Sequence, residues 1–421
     1  MISIQTEPIE RHKYIDFIVS LSVDLHAINK IGLRTTSNIL SYLNTRLNWN
    51  LPEIPSPNSI KNWVEKSGYY IYKESKSSIY TNDYAIILDE SMMIGSEKML
   101  LTLGVQADKK EDSALKANDV EILSIDVEKS WNAKKIEGVL DSIENKIGKS
   151  PLYGISDNAS SLTKAIRDKT YIHIRDVGHT LAMLIEREYK NDKDFQLLNK
   201  EIAAVKFREC MRPSAYLLPP KQRTIARFMN LSSVIDWADK MLKSFHQLTT
   251  EEQSLFKFLF KHRKLIIELQ ALLKQINHIS KILKENGLSH KTANTCIEKM
   301  KKLLTSQDKK TVAVAKACIG YLNEEQGKLT AKKTQWHISS DIIESLFGNY
   351  KYRKSPNALN GVTKQVLILP LLTKVDANTS TINICFKTAL ENVFLTDLNK
   401  WKEVTLTDNL TVKRKNLLNA S

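Results

Sequence analysis

Apolar and polar positions alternate along this chain in three successive regimes. From residue 10 to about residue 70 the spacing is helical: Leu25, Ile28, Ile31 and Leu33 lead through Gly32 into residues 35–43. A proline-rich connector runs from Pro52 to Pro57, and a short helix is predicted over residues 58–66. Ser56 suits its N-cap, Pro57 its first turn, and Ser67-Gly68 reads as its stop. The pattern changes at Ile79, beyond which short apolar runs predict strands at Tyr84–Leu88, Met99–Val105, Val120–Val127, Leu152–Ser156 and Tyr171–Ile174. The first is apolar throughout and reads as fully buried; the third alternates and reads as half-buried or at an edge. Helices are predicted at residues 131–147, where Ile136, Val139, Leu140, Ile143 and Ile147 recur at three- and four-residue steps, and at residues 159–166. Three strands followed by alternating helices and strands imply a mixed sheet with helices on its faces.

From about Lys190 to Lys333 nearly everything is helical in pattern. Leu265, Leu269, Leu272, Ile276, Ile279 and Leu283 form a heptad-like stripe, which suits a helix within a bundle or a dimer seam. Lys299-Met300-Lys301-Lys302, Lys309-Lys310 and Lys332-Lys333 add basic runs to this stretch: solvated faces singly, a track for a DNA backbone together. Ser339-Ser340-Asp341 can cap a helix that carries Ile342, Ile343, Leu346 and Phe347 on one side. Lys351, Arg353 and Lys354, a turn at Ser355-Pro356-Asn357 and the apolar residues 366–372 follow. The expected division is an N-terminal helical domain (1–75), a first catalytic part (76–190), an all-helical insertion (191–333), a second catalytic part (334–375) and a tail (376–421) without an assigned role. The fold class is thus α/β + α.

Composition narrows the classes. A chain of 421 residues suffices for two to four domains with real cores. No apolar run approaches the ~18 residues of a membrane span, and the first residues lack the pattern of a signal peptide. Cys210, Cys296, Cys318 and Cys385 lie far apart without metal-ligand spacing, as expected of buried thiols in a reducing compartment. A soluble, cytoplasmic protein is the expectation. The net charge of +15 suits a polyanionic partner, and a lysine-rich surface from genome bias gives the same number. In the short helix, Ile60, Trp63 and Val64 face inward and Ser59, Lys61 and Asn62 outward. A helix so placed after a turn is similar to a helix-turn-helix unit and makes those three candidate DNA contacts, a packing domain being the alternative.

Candidate chemistry lies in three carboxylates. Asp89 and Asp157 each end a buried apolar run, where a desolvated charge needs a partner and a divalent cation supplies one. Glu344 adds a third acid within a helical pattern. Two Mg²⁺ ions held by such oxygen ligands can activate a water or a 3′-hydroxyl and stabilise the leaving oxygen in phosphodiester chemistry. Ordinary roles stay open: a strand-end Asp for Asp89, a turn before an N-cap for Asp157-Asn158, a solvent-facing position for Glu344, and a structural pair for Asp176 and His179. Glu90, Asp168 and Asp341 are rival acids. His173 reads as a sheet residue and His337 as a neighbour of the cleft. Trp131, Trp237 and Trp336 read as core, with stacking on a flipped base as the alternative for Trp237.

The order strand, strand, strand, helix, strand, helix, strand, with Asp89, Asp157 and Glu344 at these places, resembles the RNase H-like catalytic domain of DDE transposases. Asp176-Val177-Gly178-His179 resembles the C/D-x-x-H motif of several DDE superfamilies, and many of these carry an all-helical insertion between the second Asp and the Glu. Ser340 followed by Glu344 is similar to the Ser-Asn-x-x-x-Glu segment around the last acid, although Asp341 stands where Asn is frequent. The likeness covers residues 80–190 and 335–360. It implies an insertion-sequence DNA transposase. Asp89, Asp157 and Glu344 would bind two Mg²⁺ or Mn²⁺ ions, with Asp176 and His179 supporting them. The N-terminal helices and Lys351, Arg353 and Lys354 would contact double-stranded DNA (terminal inverted repeats and target), and a homodimer or larger assembly would form on it. A transposase-derived DNA-binding protein without catalysis and an RNase H-fold nuclease or resolvase are the rivals.

Overall fold

Tyr84 to Leu88, five apolar residues in succession, have no polar side to give to solvent, and all five are fully buried. They lie in the central strand of a five-stranded sheet in a computed structural model that describes residues 9–74, 82–91, 93–221, 228–330, 334–354, 357, 360–407 and 410–419. Lys332-Lys333 and, apart from Asn357, the turn expected at Ser355-Pro356-Asn357 lie outside the described residues. The chain divides into two units, one of Met1–Ala107, Leu115–Ile174 and Ser340–Ser421, the other of Asp108–Ala114 and Arg175–Ser339.

In chain order, α1 (Asp16–Ala27), α2 (Leu33–Leu47) and α3 (Pro57–Glu74) precede β1 (Tyr84–Glu90), β2 (Lys98–Gln106) and β3 (Glu121–Glu128). Then come α4 (Ala133–Ile147), β4 (Tyr153–Ser156), α5 (Ser160–Asp168) and β5 (Ile172–Arg175). Helices α6 (Val177–Tyr189), α7 (Lys193–Glu209), α8 (Leu231–Lys243), α9 (Thr250–Phe256), α10 (Arg263–Asn286), α11 (His290–Lys301) and α12 (Lys309–Gln326) make up most of the second unit. The first unit resumes with α13 (Asp341–Arg353), α14 (Ile368–Leu372), the short strands β6 (Val375–Asp376) and β7 (Thr381–Ile382), α15 (Phe386–Asn392), α16 (Leu395–Thr405) and α17 (Leu410–Asn419).

The sheet order is β3-β2-β1-β4-β5. β1 pairs antiparallel with β2, β2 antiparallel with β3, and β1 parallel with β4. A parallel neighbour requires a crossover, and the chain makes it after β3 through α4. Tyr84, Ile86, Leu88 and Leu100 pack with Ile136, Leu140 and Ile143 of α4 and Leu162 and Ile166 of α5 in one core. Side chains alternate across a strand, so Ile87 and Asp89 are turned to the other face.

The N-terminal helices expected as a domain of their own fall in the same unit as this sheet. Helix α3 lies against α1 and α2, and also against α14, α15 and α16 from the other end of the chain. Ser56 caps it as expected, its Oγ accepting from the Ser59 backbone N–H at 3.1 Å. Ser67-Gly68 does not stop it. The helix runs on to Glu74, and Gly68 sits where a Cβ would overlap the Leu367 carbonyl. The missing side chain thus serves a close backbone approach, which outweighs glycine's poor helix propensity. The tail, given no role from sequence, supplies part of what covers α3. Glu97, buried after the β1–β2 turn, accepts from the Val362 N–H at 2.8 Å and from the Thr407 hydroxyl.

In the second unit, the stripe on α10 is buried by α6, α8, α11 and α12 of the same chain. Leu269, Leu272, Ile276, Ile279 and Leu283 are inside, Leu265 is half-buried, and Ile266 and Leu273 widen the stripe beyond a two-helix seam. It is a helix within a bundle. Buried Glu325 pairs with Arg175 at 2.6 Å and Lys328 at 2.8 Å, and Trp336 is fully buried. Among the described residues, no helix is long and apolar enough to cross a membrane.

Candidate active site

Ile87 and Ile155 are partners in the parallel pairing of β1 with β4. Asp89 follows Ile87 by two residues within β1, and Asp157 follows Ile155 by two, directly past the end of β4 at Ser156. Both carboxylates are half-buried, at the point where the strands end. Asp157 also forms a turn: its Oδ1 accepts the Ala159 N–H at 2.9 Å. The turn expected there is therefore real, and it fixes the carboxylate rather than removing it from the strand end.

Glu344 lies in the first turn of α13, a helix that packs against β1 through its own unit. Ile342, Ile343, Leu346 and Phe347 are buried, and Glu344 is on the exposed side. Ser340 occupies the N-cap position without a side-chain capping bond. The structure thus sets the two aspartates at the ends of neighbouring strands and the helix of the third acid against the strand of the first.

Asp176 is fully buried as the N-cap of α6, where its Oδ1 accepts the His179 backbone N–H at 2.7 Å. The D-x-x-H spacing is therefore that of a helix cap. Both residues belong to the second unit.

The rival acids have other occupations. Glu90 pairs with Lys98 at 3.1 Å and accepts from Ser161 Oγ at 3.0 Å. Asp168 is exposed at the end of α5, and Asp341 is half-buried in the first turn of α13. His173 joins neighbouring strands, its Nε2 lying 3.0 Å from Ser156 Oγ. His337 is buried in the second unit. The Trp237 indole N–H donates to the Leu217 carbonyl at 2.8 Å, and its ring meets Phe256 edge-on, as a packing residue does.

Among the expected DNA contacts, Lys61 is exposed, while Ser59 and Asn62 are half-buried. Lys351 lies over the Phe347 ring at 5.6 Å. Arg353 turns inward: its guanidinium donates to the carbonyls of Asn349 and Ala27, and burial lowers its pKa. Lys61 and Lys354, far apart in sequence, line one cavity. Lys364, Lys402 and Glu65 line it too, and reading the sequence missed them. The available signal was Glu65, a lone acid among the buried residues of α3.

Oxygen donors alone, two of them on rigid strand ends, suit a hard divalent ion such as Mg²⁺ or Mn²⁺. As the side chains stand, no three His, Cys, Asp or Glu among the described residues converge closely enough to hold a metal. The fit therefore rests on the aspartate pair. No protein-family model matches the chain, and no curated protein is similar to it in sequence at a significant level.

Proposed function

We propose that this protein is a DNA transposase of the insertion-sequence type, with an RNase H-like catalytic domain interrupted by the helical stretch 191–333. The observation that carries the reading is that Asp89 lies near the end of β1 and Asp157 directly follows β4, its parallel neighbour, in a β3-β2-β1-β4-β5 sheet. An RNase H-like domain needs this strand order, with its first three strands antiparallel. Asp89, Asp157 and Glu344 would hold two Mg²⁺ or Mn²⁺ ions. Bound there, the metals would supply activation of a water or 3′-hydroxyl and stabilisation of the leaving oxygen during strand cleavage and transfer. The chain's own contribution is to fix two carboxylates on strands that cannot shift independently, with the turn at Ala159 setting one of them. The lysine-rich surface would hold the DNA, and a homodimer or larger assembly would bring two ends together.

A second reading, a DNA-binding protein of transposase descent without catalysis, is favoured by the exposure of Glu344. Replacing Asp157 with Asn separates the two. On DNA bearing the element's ends, the transposase reading predicts loss of cleavage and strand transfer with end binding retained. Loss of binding as well makes Asp157 structural, and wild-type binding without any cleavage favours the regulator.

A further inference from the structure

The first unit contains a cavity of about 440 Å³ that lies outside the proposed metal site. Lys61 of α3, Lys354 after α13, Lys364 and Lys402 of α16 converge on it, and Glu65 is the one acid among the described residues of its lining. Glu65 is 1% exposed, and neither of its carboxylate oxygens accepts a hydrogen bond. The Lys61 and Lys364 ammonium groups stand 3.7 and 3.6 Å away, close enough to pair but too far to bond. One buried anion thus positions two cations across the cavity while satisfying neither, and among the described residues Lys354 and Lys402 have no ion-pair partner.

The neutral groups point the same way. Asn360 Oδ1 accepts from the Thr411 hydroxyl at 2.9 Å, and Asn399 Oδ1 from Lys364 Nζ at 3.3 Å. With their oxygens engaged, both amides have NH₂ donors to offer. A lining rich in donors and ammonium groups suits an anion with several oxygens, and a phosphate is the ligand that lysines meet as point charges. The volume is that of a small-molecule site, well beyond an inorganic phosphate, and Leu33, Val64 and Val412 supply apolar wall for a planar ring.

We propose that this cavity binds a nucleoside 5′-phosphate, either free or as the terminus of a DNA strand. The lysines take the phosphate, the apolar wall takes the base, and Glu65 is a positioning residue for Lys61 and Lys364. The proposal concerns residues other than the acids and does not rest on the metal-site reading, so it is tested in EDTA.

The test is calorimetric titration of the full chain with deoxyadenosine 5′-monophosphate, inorganic phosphate and deoxyadenosine. The expected result is one site for the nucleotide, at least tenfold weaker binding of phosphate, and no detectable binding of the nucleoside. Lys364→Gln and Lys402→Gln should each weaken nucleotide binding at least fivefold. Lys402 lies on a surface helix, so its variant should keep the wild-type melting temperature even if the Lys364 variant is less stable. A 5′-phosphorylated dinucleotide binding at least as tightly as the mononucleotide identifies a strand terminus as the source; its exclusion identifies the free nucleotide. Equal affinity for phosphate and nucleotide, or nucleotide binding unchanged in both variants, would overturn the proposal.

Discussion

Ile87 of β1 is paired with Ile155 of β4, and Asp89 and Asp157 each follow two residues further on. Both acids thus lie at the ends of neighbouring strands, each half-buried. If the pair holds a divalent ion, losing either member should cost more than losing an isolated surface charge. Asp89→Asn and Asp157→Asn are each expected to weaken Mn²⁺ binding at least tenfold, about 1.4 kcal/mol. The double variant should fall short of the sum, since the two act on one ion. Paramagnetic resonance of free Mn²⁺ measures this directly, and unchanged affinity in both single variants would dissociate the pair from metal.

Two glycines give opposite expectations for the same substitution. Gly68→Ala sets a Cβ against the Leu367 carbonyl, where backbone must move, and overpacking of this kind costs about 1–3 kcal/mol or more. Gly138→Ala in α4 meets nothing within 4 Å and gains helix propensity, about 1 kcal/mol of stabilisation. Denaturant unfolding of both variants checks the contrast. Equal effects would mean that Gly68 is not pinned between α3 and Leu367.

Gly68 also marks where sequence stops being informative. Ser-Gly after an apolar helical pattern is a local stop signal, and only a contact made 299 residues later explains why the helix continues. The strands were legible because an apolar run such as Tyr84–Leu88 has one way to be buried, and the stripe on α10 was legible as periodicity. Asp89 and Asp157 could be named singly as strand-end acids, but that their strands are neighbours depends on a pairing that neither strand encodes alone. The D-x-x-H spacing pointed to an active site, and the local chemistry of a cap explains Asp176 and the His179 backbone. The lysine cavity was invisible, because Lys61, Lys354, Lys364 and Lys402 come from separate segments with no shared period.

Burial pushes the Asp24 carboxyl up to about 6, against the pull of the Ile382 N–H that it accepts at 3.0 Å. The folded chain keeps a proton there that the unfolded chain has lost, between about pH 4 and that value. Stability from this group is therefore present at low pH and declines as pH rises through the window. Asp24→Asn preserves an acceptor for Ile382 and removes the titration. Its melting temperature should depend less on pH across the window than that of the wild type, and should equal or exceed it above the window. An unaltered slope would show that Asp24 is solvated in solution.

The stripe on α10 is filled from within its own unit. Leu272→Ala, at a fully buried position, should cost about 2–5 kcal/mol of stability through the cavity it leaves. The oligomeric state seen by light scattering should not change. Dissociation of an assembly at unchanged stability would instead make this stripe a subunit seam.

The most direct test of the central claim is Mn²⁺-dependent cleavage of labelled DNA carrying the ends that flank this gene, measured beside a Glu344→Gln variant. The account predicts cleavage at the ends by the wild type and at least a thousandfold loss, about 4 kcal/mol of transition-state stabilisation, in the variant that still binds them. Cleavage undiminished in Glu344→Gln would contradict the triad, and binding without cleavage by either protein would contradict catalysis itself.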